Sequence, residues 1–381
     1  MIISDSDPNY RQCAISVMDN IADPDIYFDE KGISNYYYEY KEAEHLLVKK
    51  GPDAVRELEN IILRIKDEGR GRKYDCILGV SGGVDSTYLA YYAHKAGLRA
   101  LCVHLDNGWD SELAVKNIEK MVSAFGFDLY TYVINWEEFK DIQLSYFKAN
   151  VVDIEAVSDI AILSTLDKVC MEQKIRHSLV GLNVATEITL PESWICKNVA
   201  NLRDIHKTWG TKPLKSFPLS SPIRRRIIAR TKPFMHWAPL NYLPYVKEES
   251  KEIIRTELGW RDYGGKHYES IFTRFYQGYI LPNKFHIDKR KAHLSNLIFS
   301  GQMKKEEALK ELAKPIYPAE AFRSDYEFVL KKLGFSEENF EKYMEAPAVP
   351  HSKYDLSLSL FDELEYLKPL KWLFGREKIT A

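Results

Sequence analysis

Residues 74–90 read YDCILGVSGGVDSTYLA: an apolar run, a loop with paired glycines, then helix formers. A continuous apolar run of this length marks a strand buried on both faces, as in a parallel sheet. Gly82 and Gly83 let backbone amides approach a ligand closely, and the start of the following helix adds the positive end of its dipole. Ser81 and Ser86 can add hydroxyl donors, so strand, loop and helix together make an anion site. The lysine of the common triphosphate motif, G-x-x-x-x-G-K-[ST], is absent. Asp85 stands in the loop, and a carboxylate beside phosphates is unfavourable unless a cation lies between them. The loop therefore implies Mg2+.

Strand and helix alternate outward from this loop. RALCVHLDN (99–107) reads as a second strand and SELAVKNIEKMVSAFG (111–126) as an amphipathic helix stopped by Gly126. LYTYVIN (129–135) is a third strand, helical stretches follow near 137–148 and 158–175, and HSLVGLN (177–183) is a fourth strand. Such alternation predicts a doubly wound parallel sheet with ligands at the carboxyl ends of its strands. Upstream, GPDAVRELENIILRIKDEGRG (51–71) carries Leu58, Ile61, Ile62 and Ile65 at helical spacing, and residues 1 to about 45 read as irregular and polar. After about residue 188, prolines at 213, 218, 222, 233, 239 and 244 punctuate short segments. Helices are then expected over 246–258, 302–313, 318–333 and 335–345.

Composition narrows the function classes. Of 381 residues, 45% are hydrophobic and 28% charged, and the formal net charge of −2 gives no global attraction to nucleic acid or anionic lipid. The N-terminal MIISDSDPNYRQC is too polar for a signal peptide, and no apolar stretch approaches the ~18 residues of a membrane span. The five cysteines are scattered, as in a reduced cytoplasmic protein and unlike a disulfide framework. Cytoplasmic location and no nucleic-acid partner are the expectations.

SGGVDS, with Val84 inside it, resembles the pyrophosphate-loop signature of the ATP pyrophosphatases, a family that includes GMP, NAD and argininosuccinate synthetases. The resemblance implies an adenine nucleotide α-hydrolase-like fold and a loop holding the β- and γ-phosphates of ATP. A substrate oxygen attacks the α-phosphate, and a nucleophile then displaces AMP. By the same resemblance HLDNGWDS (104–111) puts Asp106 and Asn107 at the adenosine, and GLNVATE (181–187) puts Gly181, Asn183 and Glu187 at the nucleotide and metal. Asp85 and Glu187 are the expected Mg2+ ligands.

FDEKGISNYYYEY (28–40), VVDIEAVSDIAI (151–162) and GGKHYESIFTRFYQGYILPNKFHIDKRKAHLS (264–295) together resemble the N-acetyl sugar amidotransferases of bacterial surface-polysaccharide and LPS O-antigen pathways. The resemblance covers nearly the whole chain. It implies conversion of an acetamido group on a nucleotide-linked sugar into an acetamidino group, with ammonia from a separate glutaminase of the histidine-biosynthesis type. Lys266 is placed by resemblance against phosphate oxygens or the adenylate, joining Asp85 and Glu187 as catalytic. In the same segment His267 and Glu269 flank it, and Arg274 and Lys284 are weaker candidates. A plain alternative for Lys266 is a solvated turn beside two glycines. A glutaminase would need an activated cysteine. Residue 2 is isoleucine, and neither Cys170 nor Cys196 lies in an activating sequence context, so an ammonia-supplying partner is implied.

Members of that family begin with two cysteine pairs of zinc-ribbon type. Here the corresponding positions are Cys13, Ser16, Ser34 and Tyr37, so no structural zinc is expected, and Phe28, Tyr36, Tyr37 and Tyr38 are expected to hold the module by packing. The expected organisation is a degenerate zinc-ribbon-like module over 1–45, a connecting helix over 46–72, the pyrophosphate-loop domain over 73–235 and a mainly helical region over 236–381. PIRRRIIARTKP (222–233) reads as a basic face or a diphosphate contact, and LFDELEYLKPLKWLFG (360–375) as core or interface helix. His104 reads as a buried, hydrogen-bonded strand residue. Two other functions compete: a tRNA-modifying adenylating enzyme, against which the net charge and the lack of C-x-x-C count, and a non-catalytic nucleotide-binding scaffold, against which the intact SGGVDS counts.

Overall fold

The computed structural model describes residues 7–219, 234–266 and 268–357. Its centre is one sheet of five strands, β1 (Cys76–Gly79), β2 (Ala100–Asp106), β3 (Asp128–Val133), β4 (His177–Leu179) and β5 (Met235–Trp237). All four neighbouring pairs are parallel, in the order β3-β2-β1-β4-β5. This is the doubly wound α/β arrangement that the alternation in the sequence predicts.

The helices that surround the sheet and frame its strand ends are α1 (Asn35–Leu47), α2 (Gly51–Glu68), α3 (Val84–Lys95), α4 (Glu112–Phe125), α5 (Trp136–Ala149), α6 (Ala156–Gln173), α7 (Val184–Glu187), α8 (Val199–Trp209) and α9 (Lys247–Leu258). Both faces of the sheet are covered. Cys76, Leu78, Ala100 and Cys102 pack with Leu58, Ile61, Ile62 and Ile65 of α2 and with Leu89, Ala90 and Ala93 of α3. On the opposite face Ile77, Leu101 and Val103 meet Leu166, Val169 and Cys170 of α6. Alternate residues of one apolar strand thus serve two helical layers, which is why β1 reads as a continuous run.

Local signals set several boundaries. Ser111 caps α4 by accepting from the Ala114 amide (3.2 Å), and Asn135 caps α5 by accepting from Glu137 and Glu138. Two features differ from expectation. Residues 35–45 are the greater part of α1, whose Tyr36 and Tyr40 are buried in the largest core cluster. The fifth strand, β5, lies across residue 235, the expected end of the sheet domain, so the sheet runs on to Trp237. Three residues between Pro233 and Pro239 carry too little pattern to read as a strand, and pairing with β4 is what makes them one.

The N-terminal segment folds into a knuckle around Cys13. Cys13 Sγ accepts from the amides of Ser16 (3.5 Å) and Ser34 (3.4 Å), and all three residues are fully buried. Tyr37 turns away to pack edge-on against Phe299, Tyr36 donates to Asp23, and Tyr38 donates to Asp29 (2.6 Å). This segment joins α5, α6 and the helices beyond residue 270 in one apolar cluster.

Two carboxylates of α5 hold the chain that leads toward residue 219. Glu138 accepts from the amides of Lys215, Ser216 and Phe217, and Asp141 from the Thr211 amide (2.8 Å), Thr211 Oγ1 (2.6 Å), the Lys212 amide (3.0 Å) and His206 Nε2 (3.0 Å). Burial by itself would raise the Asp141 carboxyl, but these donors outweigh it and hold it at about 2. Because the folded value lies below the ordinary 3.8, the stabilisation is present above that value and is lost as pH falls toward 2. It amounts to about 2 kcal/mol. Urea titrations at pH 7, 4 and 2.5 should therefore show a shallower acid loss in Asp141→Asn than in the wild type. Parallel acid profiles would contradict it.

Candidate functional site

β1 lies between β2 and β4, so the chain leaves β1 toward one side of the sheet and β4 toward the other. The crevice at the carboxyl ends of these strands is where doubly wound folds bind ligands. Both sequence-predicted loops emerge there. Gly82 adopts φ +79°, and a Cβ on it would stand 2.8 Å from the Ala114 carbonyl, so only glycine fits without a shift. A Cβ on Gly181 would approach the Ser86 amide nitrogen to 3.1 Å, which shows how closely the β4 loop crosses the glycine loop.

Ser81 and Ser86 brace that loop. Their hydroxyls are 3.3 Å apart, Ser81 Oγ accepts from the Gly83 amide (3.2 Å), and Ser86 Oγ donates to the Gly83 carbonyl (3.2 Å). Gly83 is the N-cap of α3, and no side chain caps it. The helix start, with Val84 and Asp85 in its first turn, therefore presents amides and dipole to an anion.

The cover over the loop comes from beyond residue 240. Trp260 Nε1 donates to the Gly82 carbonyl (2.9 Å), and the Tyr263 hydroxyl donates to the same oxygen. Ser270 pairs with Asp110 in an antiparallel bridge, flanked by Ser111 N to Glu269 O and Ile271 N to Trp109 O, both 2.8 Å. Lys266 Nζ donates to the Thr186 carbonyl (2.8 Å) and lies 3.5 Å from Glu187 Oε1. The segment that holds Lys266 is thus laid across the crevice, and Lys266 meets Glu187 rather than bulk solvent. The Glu269 carboxylate approaches Gly83. His267 lies outside the described residues.

Asp85 is the electrostatic centre of the site. Burial, and next the charge of Glu187, push its carboxyl up, while Lys266, Lys247 and a hydrogen bond from Tyr245 act in the opposite direction. Lys247, at the start of α9, is pushed down by burial and by Lys266. Two crowded lysines facing two crowded carboxylates are groups to which a polyphosphate and its cation would each bring relief. Among the described residues no group of three or more His, Cys, Asp or Glu side chains is arranged to hold a metal ion. Asp85 and Glu187 are the two carboxylates that act on each other at this point of the crevice.

Other expected residues have local duties. Asn183 is buried and caps α7, accepting from Thr186 N (2.9 Å) and Thr186 Oγ1 (3.1 Å) while donating to the Gly181 carbonyl (3.3 Å). It shapes the turn that carries Glu187. At the end of β2, Asp106 Oδ1 accepts from Gly108 N (2.8 Å) and Asn107 Oδ1 from Trp109 N (3.1 Å), forming the turn itself. Lys332 closes this end over the rings of Trp109 and Trp136. His104 is buried between the Val80 carbonyl and Asp110 Oδ2, each 3.0 Å away. Arg274 is paired with Asp325 through two bonds (2.7 and 2.8 Å), and Lys284 donates to the Tyr343 and Ala346 carbonyls at a helix end. Both serve the fold of the C-terminal part. The basic run 222–233 and the segment 360–375 lie outside the described residues.

Sequence reasoning missed Lys247, Tyr245, Trp260 and Lys332. Lys247 opens KEESKEIIRTEL, which reads as an ordinary solvated helix, and nothing local marks it as facing a loop more than 150 residues earlier.

Comparison with known families places a boundary close to this cover. Residues 269–371 match the family described as LPS biosynthesis protein WbpG-like, C-terminal domain. The match begins at the residue that joins the crevice to the β2 exit. No curated protein matches the chain. Among solved structures, the NMN synthetase of Francisella tularensis is similar at 15% identity, over 36% of this chain and 57% of that one, with a TM-score of 0.28. The aligned region thus spans little more than half of that structure.

The geometry at Gly82 gives a direct check. Gly82→Ala should cost about 1–2 kcal/mol from the left-handed backbone alone and should weaken binding of inorganic pyrophosphate at least tenfold by calorimetry. Equal pyrophosphate affinity in variant and wild type would remove the loop as an anion cradle.

Proposed function

We propose that this protein is an ATP-dependent, AMP- and pyrophosphate-forming amidotransferase that acts on the acetamido group of a nucleotide-linked N-acetyl sugar in LPS O-antigen synthesis. One observation carries the proposal: the SGGVDS loop at the switch point is closed by lysines from the segment that leads into the WbpG-like C-terminal region. The likeness of that region to LPS biosynthesis proteins supports the pathway, and the loop is the support for ATP-dependent chemistry.

In this reaction the acetamido oxygen attacks the α-phosphorus of ATP, and the α–β bond breaks to release pyrophosphate. Ammonia adds to the imidate carbon, the carbon–oxygen bond breaks, and AMP leaves with the former carbonyl oxygen. The product carries C=NH in place of C=O. Amides at the start of α3, with the hydroxyls of Ser81 and Ser86, would bind the departing pyrophosphate. Lys266 and Lys247 would neutralise its outer oxygens. Mg2+, held by Asp85 and Glu187 together with the phosphates, would supply further charge neutralisation.

The cysteines favour an outside source of ammonia. Burial pushes the thiols of Cys76, Cys102 and Cys170 up, and that of Cys196 is pushed up to about 12. Burial works against the thiolate of Cys13 too, though hydrogen bonds from Ser16 and Ser34 outweigh it, and the sulfur is fully enclosed. Four of the five are buried and Cys196, though partly exposed, is disfavoured as thiolate, so none is the activated nucleophile a glutaminase needs. A separate glutaminase is the proposed partner.

The test is AMP and pyrophosphate release with ammonium salt and a panel of nucleotide-linked N-acetyl sugars. Asp85→Asn should lower kcat at least a hundredfold with the fold intact by circular dichroism. Lys247→Met should raise KM for ATP about tenfold, the scale of one charge-assisted contact. AMP formation on tRNA and on no sugar would replace the proposal with base modification.

A further inference from the structure

Two stretches singled out in the sequence, 151–162 and 264–295, contain polar residues that the phosphate site leaves unused. The structure brings them together. Tyr276 donates to the Val152 carbonyl, Gln277 Nε2 to Glu155 Oε2 (2.9 Å) and Oε1 (3.2 Å), and Lys289 Nζ to Glu155 Oε2 (3.0 Å). Gln277 sits in a π-helical turn, Tyr276–Ile280, inside the helical run Ile271–Lys284. Such widened turns are rare and recur at functional sites. One helical turn along α6, Asp159 pairs with Lys197 at 2.8 Å.

This cluster adjoins the phosphate site. Asn107, at the end of β2, donates to Ser158 Oγ (3.3 Å) in the first turn of α6. Burial works against the charge of Lys197, but Asp159, Asp153 and Glu187 outweigh it, so Lys197 lies within the field of the same Glu187 that meets Lys266. Asp153 itself is spent on the amides of Cys196 (2.6 Å) and Ala156 (3.2 Å). The other side chains keep part of their surface: 37% for Asp159, 21% for Lys197, 18% for Lys289 and 14% for Glu155. Two carboxylates and two ammonium groups cancel in charge, and an amide adds both donor and acceptor. A partly exposed, charge-balanced set of this kind suits a neutral ligand rich in hydroxyls better than another phosphate.

We infer that Asp159, Lys197, Glu155, Lys289 and Gln277 form the acceptor subsite, binding the hydroxyls of the sugar ring whose acetamido group faces the nucleotide across Glu187. The inference rests on the amidotransferase reading above and adds where its second substrate binds. Lys197→Met and Gln277→Leu should each weaken binding of UDP-linked N-acetylhexosamines about tenfold or more by saturation-transfer NMR titration. ATP affinity should stay within about twofold and melting temperature within a few degrees, which a purely structural role for these ion pairs would not allow. Lys197→Arg should recover part of the sugar affinity. Binding by the wild type with both variants unaffected overturns the subsite alone. If the wild type binds ATP but none of the sugars, the sugar-amidotransferase reading falls and takes the subsite with it.

Discussion

A buried carboxylate in the first turn of a helix has to be matched by positive charge, and the crevice is arranged around meeting that demand for Asp85. Burial and Glu187 both oppose its ionisation. Lys247 and Lys266 answer from the far side, one at the start of α9 and one in the crossing segment. Neither lysine could be delivered by the loop itself, because the helix that follows Gly83 runs down into the layer packed on the sheet. The region beyond residue 240 must therefore lie over the strand ends before the site is electrically complete.

That requirement explains how the cover is fastened. The Gly82 carbonyl takes two donors, from Trp260 and Tyr263, and the β2 exit pairs with residues 269–271. The same carbonyl belongs to the one loop residue whose backbone excludes a side chain, so cover and loop share a single geometric element. Behind them, the N-terminal knuckle, α5 and the C-terminal helices merge in one apolar cluster. The knuckle around Cys13 is closed by backbone hydrogen bonds and by tyrosines that reach into this cluster.

Much of the architecture was legible because parallel strands must be apolar on both faces and helices must repeat their apolar residues every three to four positions. The runs at 76–79 and 100–106 declared themselves in that way, as did α2 and α4. β5 did not, since three residues between prolines have no period to read. α1 was hidden by tyrosines, whose burial depends on the helices packed over them. In the site, the glycine loop was legible from local chemistry, whereas the contacts of Lys266 with Thr186 and Glu187 were not. Lys247 and Tyr245 were not, because their importance lies in what they face.

The sequence by itself determined the α/β class, the glycine loop between strand and helix and the need for charge to balance Asp85. Each follows from residue types at short range: amides without side chains, a helix start, a carboxylate among them. Only the tertiary structure decided which cations face that carboxylate, that Asn183 shapes a turn, and that the stretches 151–162 and 264–295 meet at Glu155. Those outcomes depend on contacts between residues more than a hundred positions apart, and spacing along a chain carries no record of them.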